Sequence, residues 1–186
     1  LTKTVCCQKE ERALLKDITD SQILLRTPSR ADGADVWELV RNCAPLDENS
    51  MYCNLVQCDQ FGATCVLAEK EGEVVGWVSG HIRPDDPQTL FVWQVAVSEK
   101  ARGQGLGLKM LRSLIQRDVC ANVTRLQTTI TKDNDASWAL FEGFANREGD
   151  DMASKPHYKS DDHFSGTAKT EHMVTIELSQ PQTAAA

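Results

Sequence analysis

From Leu90 to Val97 the chain reads Leu-Phe-Val-Trp-Gln-Val-Ala-Val, seven apolar residues in eight, with β-branched and aromatic types dominant. That density predicts an interior strand covered on both faces, broken only by Gln94. Beyond it, Leu106, Met110, Leu111, Leu114 and Ile115 recur at helical spacing and predict an amphipathic helix running to Val119. Upstream, Ile23 to Arg26 reads as a strand stopped by Thr27-Pro28. Ser29 or Asp32 is placed to cap a helix with Val36, Trp37, Leu39, Val40 and Cys43 on its inner face, ended by Pro45. Asp47-Glu-Asn-Ser50 caps a second helix carrying Met51, Tyr52, Leu55 and Cys58. Thr64 to Ala68 and Val74 to Ile82, joined by Lys70-Glu-Gly72, predict an antiparallel hairpin, and Pro84 to Pro87 turns the chain into the central strand. Leu126 to Thr131 gives a further strand, Asp133-Asn-Asp135 opens a helix with Trp138, Leu140, Phe141 and Phe144, and His172 to Leu178 closes the series. Gly149 to Thr170 is polar and predicts irregular structure.

Between the central strand and its helix lies Arg102-Gly-Gln-Gly-Leu-Gly107. A helix start presents free backbone N–H groups and the positive end of the macrodipole, and glycines let the main chain come close to a ligand. The segment therefore predicts a phosphate-binding turn. A dinucleotide fold would require Gly-x-Gly-x-x-Gly, which this spacing does not supply.

The chain has 186 residues, 41% of them hydrophobic and 25% charged, which suits one globular domain. Its formal net charge of -7 and lack of a long basic run disfavour nucleic acid or an anionic membrane as partner and favour a cationic small molecule. Seven cysteines, at Cys6, Cys7, Cys43, Cys53, Cys58, Cys65 and Cys120, form no Cys-x-x-Cys pair and read as reduced core thiols. No apolar stretch approaches the roughly 20 residues that span a bilayer, and no signal-peptide core precedes residue 30, so the expected location is the cytoplasm.

The loop fits Arg/Gln-x-x-Gly-x-Gly, and with the element order it resembles the GNAT acyltransferase superfamily. Within that superfamily, four segments, Pro45 to Leu55, Thr89 to Val97, Lys100 to Gly107 and Thr128 to Trp138, resemble the L-2,4-diaminobutyrate acetyltransferases of ectoine synthesis. The resemblance covers residues 23–178 and implies an α/β (α+β) GNAT fold, a central mixed, mostly antiparallel sheet flanked by helices. Residues 1–21, polar and without sustained periodicity, read as a flexible arm or a short extra helix, 22–179 as the acetyltransferase domain and 180–186 as a disordered tail. The resemblance further implies acetyl-coenzyme A as cosubstrate, a diamino acid as substrate, no metal, and a homodimer. Carried over by position, Val95, Ala96 and Val97 would meet the pantetheine arm through main-chain groups. Arg102, Gly103, Gln104, Gly105, Leu106 and Gly107 would hold the pyrophosphate, and Asn134 would contact the coenzyme, its alternative being a helix cap.

An amine with a pKa near 10.4 is neutral in only about one molecule per thousand at pH 7, so its deprotonation costs on the order of 4 kcal/mol. Positioning amine and thioester together supplies up to roughly 7–11 kcal/mol, so a carboxylate acting directly or through water suffices as base. Glu171 is assigned as amine ligand and proton acceptor, and Asp47 as a second acidic contact. The alternative for Glu171 is a solvated strand-edge charge. Tyr52 is a candidate partner of substrate or leaving thiolate, and otherwise a core tyrosine; Trp93 is placed beside the acetyl group, and otherwise in the core. Phe141 stands where many superfamily members carry a tyrosine acid, and Ala168-Lys-Thr-Glu171 keeps only the last residue of a His-Glu-x-Glu pattern. His157, Asp161, Asp162 and His163 are metal-ligand types in a short span, read as a polar loop. Cys53 and Cys58 lack a histidine partner nearby, so direct transfer is favoured over a ping-pong scheme. Two other readings stay open: an acetyltransferase for another diamine, amino acid or polyamine, and a non-catalytic acyl-coenzyme A sensor.

Overall fold

Seven strands, β1 (Leu24–Arg26), β2 (Val66–Lys70), β3 (Glu73–Arg83), β4 (Asp86–Val97), β5 (Arg125–Thr131), β6 (Gly149–Tyr158) and β7 (Glu171–Leu178), form one sheet. The computed structural model describes residues 23–44 and 46–179, and the strand order is β1-β2-β3-β4-β5-β7-β6. Neighbours are antiparallel except β4 and β5, which run parallel and pair only from Thr89 to Phe91 against Arg125 to Gln127. The helices are α1 (Gly33–Arg41), α2 (Met51–Gln60), α3 (Leu106–Ile115), α4 (Asp135–Glu148) and the short α5 (Ser160–His163). The expected mixed, mostly antiparallel sheet between helices is what forms.

Two apolar clusters lie on opposite sides of the sheet. On one, Leu106, Met110 and Leu111 of α3 and Phe141 and Phe144 of α4 bury Val92, Leu126, Val174 and Ile176. On the other, Val36 and Val40 of α1 and Cys58 of α2 cover Leu67, Trp77 and Ala96. Both follow from period: residues one turn apart share a helix face, and alternate strand residues share a sheet face.

In β4 that alternation changes phase. Ser79 pairs with Gln94 and Gly80 with Val92, so Trp93 is an extra residue without a partner in β3, a β-bulge. Leu90 and Val92 face the α3/α4 cluster before the bulge, and Val95 and Val97 face it afterwards, whereas Ala96 faces α1. Without the extra residue, Gln94 would occupy the α3/α4 side. The bulge resolves the one polar interruption in the apolar run by turning Gln94 away from that core.

Several sequence expectations are corrected. β4 is not covered on both faces throughout, because Trp93 is 52% exposed; it is not a core tryptophan. α2 turns Asn54, Gln57 and Cys58 inward and leaves Met51 and Tyr52 exposed, so Tyr52 is not a core tyrosine. α1 has ended at Arg41, with Asn42 as its cap, before Pro45, which lies outside the described residues. α3 ends at Ile115 and a separate 3-10 turn, Asp118–Cys120, follows, with Val119 exposed. The stretch from Gly149 is not irregular: β6 fills Gly149–Tyr158 and α5 follows. Its polarity is that of an edge strand, paired only with β7. The proposed arm at 1–21, with Cys6 and Cys7, and the tail at 180–186 lie outside the described residues.

α1 is anchored before it begins. Ser29 and Asp32 form a reciprocal capping box, and the Asp32 carboxylate accepts two hydrogen bonds from the Arg26 guanidinium of β1, at 2.6 and 3.0 Å. Arg26 also donates to Glu69 of β2 at 3.0 Å. The Arg26 bonds hold the Asp32 carboxyl down to about 2, against burial, which acts to raise it. A carboxyl depressed on folding adds stability above its unfolded value and loses it as pH falls through its folded one. Asp32→Asn is therefore expected to cost about 2 kcal/mol at pH 7 and to flatten the loss of stability between about pH 4 and pH 2, read by urea unfolding at stepped pH.

Candidate active site

The end of β4 leads through a short turn into Arg102-Gly-Gln-Gly-Leu-Gly107, where the glycines have separate reasons. Gly103 and Gly105 have left-handed backbones, φ +74° and +69°, with open space where a Cβ would stand, so conformation and not room requires them. Gly107 sits in tighter packing, since a Cβ there would lie 3.2 Å from the Leu140 side chain of α4, which would have to give way slightly. Gly105 is the N-cap of α3 and no side chain caps the helix; the Lys109 amide reaches back to the Gly105 carbonyl at 3.0 Å. The amides of the preceding turn are left pointing out of the helix end, where they favour an anion.

Ser98 donates its backbone N–H to Val75 of β3 at 2.9 Å. Strand alternation then turns the main-chain groups of Val95 and Val97 the other way, toward β5. β5 is no longer paired there, because its pairing with β4 stops at Phe91 and Gln127. A gap opens between two adjacent parallel strands. The Val97 carbonyl in it already accepts from Arg102 Nε at 3.1 Å and from the Cys43 thiol at 3.5 Å, which ties the glycine loop to the strand.

A cavity of about 560 Å³ begins at Val95 and Val97, passes Arg102, Gly103, Gly105, Leu106 and Gly107, and follows α4 from Asn134 to Arg147. Eight of the ten positions expected at the cofactor line it. The other two do not: Ala96 is buried against α1, and Gln104 is turned to the Lys100 carbonyl at 3.5 Å. Asn134 both lines the cavity and caps α4, its Oδ1 accepting from Ser137 N at 3.1 Å, so the two readings of this residue coexist. Sequence reasoning missed Cys43, Leu46 and the α4 groove formed by Ala136, Leu140, Gly143 and Arg147. The helical spacing of those four, with small residues among them, was the available signal.

The carboxylates lie on the opposite side of the sheet. Thr128 and Ile130 are buried, Ile130 in the α3/α4 core, so Thr129 of β5 faces away from it, on the side of Glu171 at the start of β7. Burial pushes the Glu171 carboxyl above the usual range, the Thr129 side chain opposes that, and the nearby Asp47 charge adds to the rise. The Asp47 charge is thus felt at Glu171, although the two are 124 positions apart (171 minus 47). Asp47 is exposed but its segment is fixed: its carbonyl accepts from Gln94 Nε2 at 3.0 Å, Asn49 Nδ2 donates to Gln94 Oε1 at 3.3 Å, and Trp37 Nε1 donates to the Asn49 carbonyl at 3.0 Å. Ser50 then caps α2, which carries Tyr52 at 76% exposure.

Phe141 is buried in the core and presents no hydroxyl. Burial pushes the Cys58 thiol up to about 12 and raises Cys53 as well, which suits neither for nucleophilic attack. His163 Nδ1 accepts from Lys159 N at 3.0 Å and Lys159 pairs with Asp162 at 3.1 Å, so these side chains serve the α5 turn. Among the described residues no three His, Cys, Asp or Glu side chains are grouped to hold a metal ion. A second cavity, about 680 Å³, lies there, but Lys159 and Lys169 on its wall are paired with Asp162 and Asp133, which leaves little net charge to attract an ion.

The acetyltransferase (GNAT) family model matches residues 34–144. The L-2,4-diaminobutyric acid acetyltransferase of Methylotuvimicrobium alcaliphilum is 47% identical over 154 residues, 83% of this chain and 90% of that protein. The enzyme of the same name from Halomonas elongata is 43% identical over 157 residues, 84% of this chain and 81% of its own. Among solved structures, diaminobutyrate acetyltransferase EctA from Paenibacillus lautus, in complex with its substrate L-2,4-diaminobutyric acid and coenzyme A, superposes with a TM-score of 0.81. It is 37% identical, and the match covers 85% of this chain and 96% of that one. With the split β4–β5 pair, the glycine turn at the head of α3 and these identities together, the chain belongs to the GNAT family and, within it, to the L-2,4-diaminobutyric acid acetyltransferases.

Proposed function

We propose that this chain transfers the acetyl group of acetyl-coenzyme A to the 4-amino group of L-2,4-diaminobutyrate, giving the N4-acetyl product in ectoine synthesis, by direct transfer in a ternary complex. One observation carries the reading. The cavity with the glycine turn runs along α3 and α4, Glu171 faces the other side of the sheet, within reach of the Asp47 charge, and the unpaired stretch of β4 and β5 lies between them. A thioester arm entering along the free main-chain edge of Val95 and Val97 meets an amine held from the opposite face.

In this assignment Arg102, Gly103, Gly105, Leu106 and Gly107 seat the pyrophosphate, with Gln104 and Ala96 contributing main chain only, and Asn134 Nδ2 is the donor left for the coenzyme. The ammonium between Asp47 and Glu171 gives a proton to Glu171, directly or through water. The freed amine nitrogen attacks the thioester carbonyl carbon; the C–N bond forms, the C–S bond breaks, and the thiolate leaves with the electron pair and takes up the second proton that the nitrogen sheds as it becomes an amide. An N–H at the β4 edge stabilises the oxyanion. Tyr52 and Trp93, both exposed beside this face, close over the diamine. A homodimer accounts for the exposed rings of Phe61 and Tyr158, and the free, mostly buried cysteines support action in the reducing cytoplasm. No helix of the described residues is long and apolar enough to cross a membrane.

The deciding experiment mixes protein, acetyl-coenzyme A and L-2,4-diaminobutyrate and follows free thiol and product mass. Release with acetylation at the 4-amino group is expected; faster turnover of ornithine, lysine or a polyamine, or coenzyme binding without release, overturns the assignment. Because Glu171 must be ionised to take a proton and its carboxyl sits above the ordinary range, kcat/KM is expected to fall as pH drops through that raised value. Glu171→Gln is expected to lose about 100-fold or more in kcat/KM and to abolish this acid limb, read in pH profiles of both proteins. Gly105→Val, which strains a left-handed position by about 1–2 kcal/mol, is expected to weaken acetyl-coenzyme A binding about tenfold or more by calorimetry while the protein stays folded.

A further inference from the structure

Gln94 is 8% exposed, yet it stands in the central strand directly after the bulge, and both ends of its amide are used. Nε2 donates to the Asp47 carbonyl at 3.0 Å and Oε1 accepts from Asn49 at 3.3 Å. These two bonds come from the strand whose next residue, Val95, lines the cofactor cavity on the other side of the sheet. Asp47 itself is exposed and no side chain of the described residues holds its carboxylate in a hydrogen bond or ion pair, so its place is set by its backbone. We infer that Gln94 is a positioning residue for the acetyl transfer: it fixes the Asp47 carboxylate relative to the strand that presents the acetyl group. The inference rests on the diamine reading of Asp47 above.

The chemistry explains why an amide is used. A glutamine offers a donor and an acceptor on one rigid plane, so it engages a carbonyl and a side-chain amide two residues apart and fixes both the height and the rotation of the segment between them. Trp37 holds the Asn49 carbonyl from α1, and Arg41 lies 4.4 Å over the Trp37 ring, so the far side of the segment is held by the helix layer. Gln94 supplies the only side-chain bonds among the described residues that tie the segment to β4. Its loss leaves a loop attached to α1 but free to shift against the acetyl donor. Misplacement of this kind acts on the amine and not on the cofactor.

The test measures the diamine KM, kcat and acetyl-coenzyme A affinity of Gln94→Ala, Asn49→Ala, Asp47→Ala and Gln94→Ala with Asp47→Ala. Gln94→Ala is expected to raise the KM for L-2,4-diaminobutyrate about tenfold, with acetyl-coenzyme A affinity changed less than about twofold. Asn49→Ala, which removes one of the two bonds and leaves β4 intact, is expected to move KM the same way by a smaller factor, and it stands in should Gln94→Ala not fold. In the Asp47→Ala background the Gln94 substitution is expected to add nothing further to KM, as follows when one group acts through the other. Additive effects on KM, or a fall in kcat at unchanged KM, would mean a merely structural glutamine and overturn the inference. An Asp47→Ala protein with the parental diamine KM overturns the diamine reading itself, and the inference with it.

Discussion

The constraint on which the site depends is one residue too many in the fourth strand. Trp93 has no partner in the third strand, and the strand bends and changes phase at that point. Past it the fourth strand keeps its antiparallel neighbour but no longer pairs with its parallel one. A sheet interior normally consumes every backbone donor and acceptor, since leaving them unpaired away from water is costly. Here a central strand keeps an unused edge inside the domain, as a strand-like ligand arm requires.

The same bulge divides the work of the two faces. Val95 and Val97 are returned to the α3/α4 side, where the glycine turn and the α4 groove lie, and Gln94 is sent to the side of Asp47. The Val97 carbonyl, already engaged by Arg102, holds the anion-binding turn on the strand before any ligand is present. In the proposed reaction, cofactor and amine are handled by two rigid surfaces that share one strand. The electrostatics agree with the division: uncapped amides collect on one face, while Glu171, its carboxyl raised by burial and by the Asp47 charge, lies on the other.

Much of this was legible in the sequence because it lies in local pattern. The amphipathic stripe of α3, the glycines before it and the apolar run of β4 specify strand, turn and helix from neighbouring residues alone. The bulge was not legible, since a run of seven apolar residues reads the same in either phase, and only the register with β3 shows that Trp93 is skipped. Exposure of Tyr52 was hidden for a related reason: α2 buries Asn54 and Gln57, polar residues whose side chains bond each other at 3.0 Å, so hydrophobicity points to the wrong face. The nomination of Asp47 and Glu171 together came from resemblance, not from spacing. Nothing local connects residues so far apart.

The sixth strand escaped recognition because acidic and basic side chains, a proline and few apolar residues fill it. Those same features protect the molecule. As the outermost strand it offers a row of main-chain groups to any passing chain, but Asp150, Asp151 and Lys155 surround that row with charge, Pro156 removes a donor, and register shifts after Gly149 and Pro156 break its straightness. A polypeptide crowded among copies of itself therefore finds no flat template there on which to nucleate fibrils.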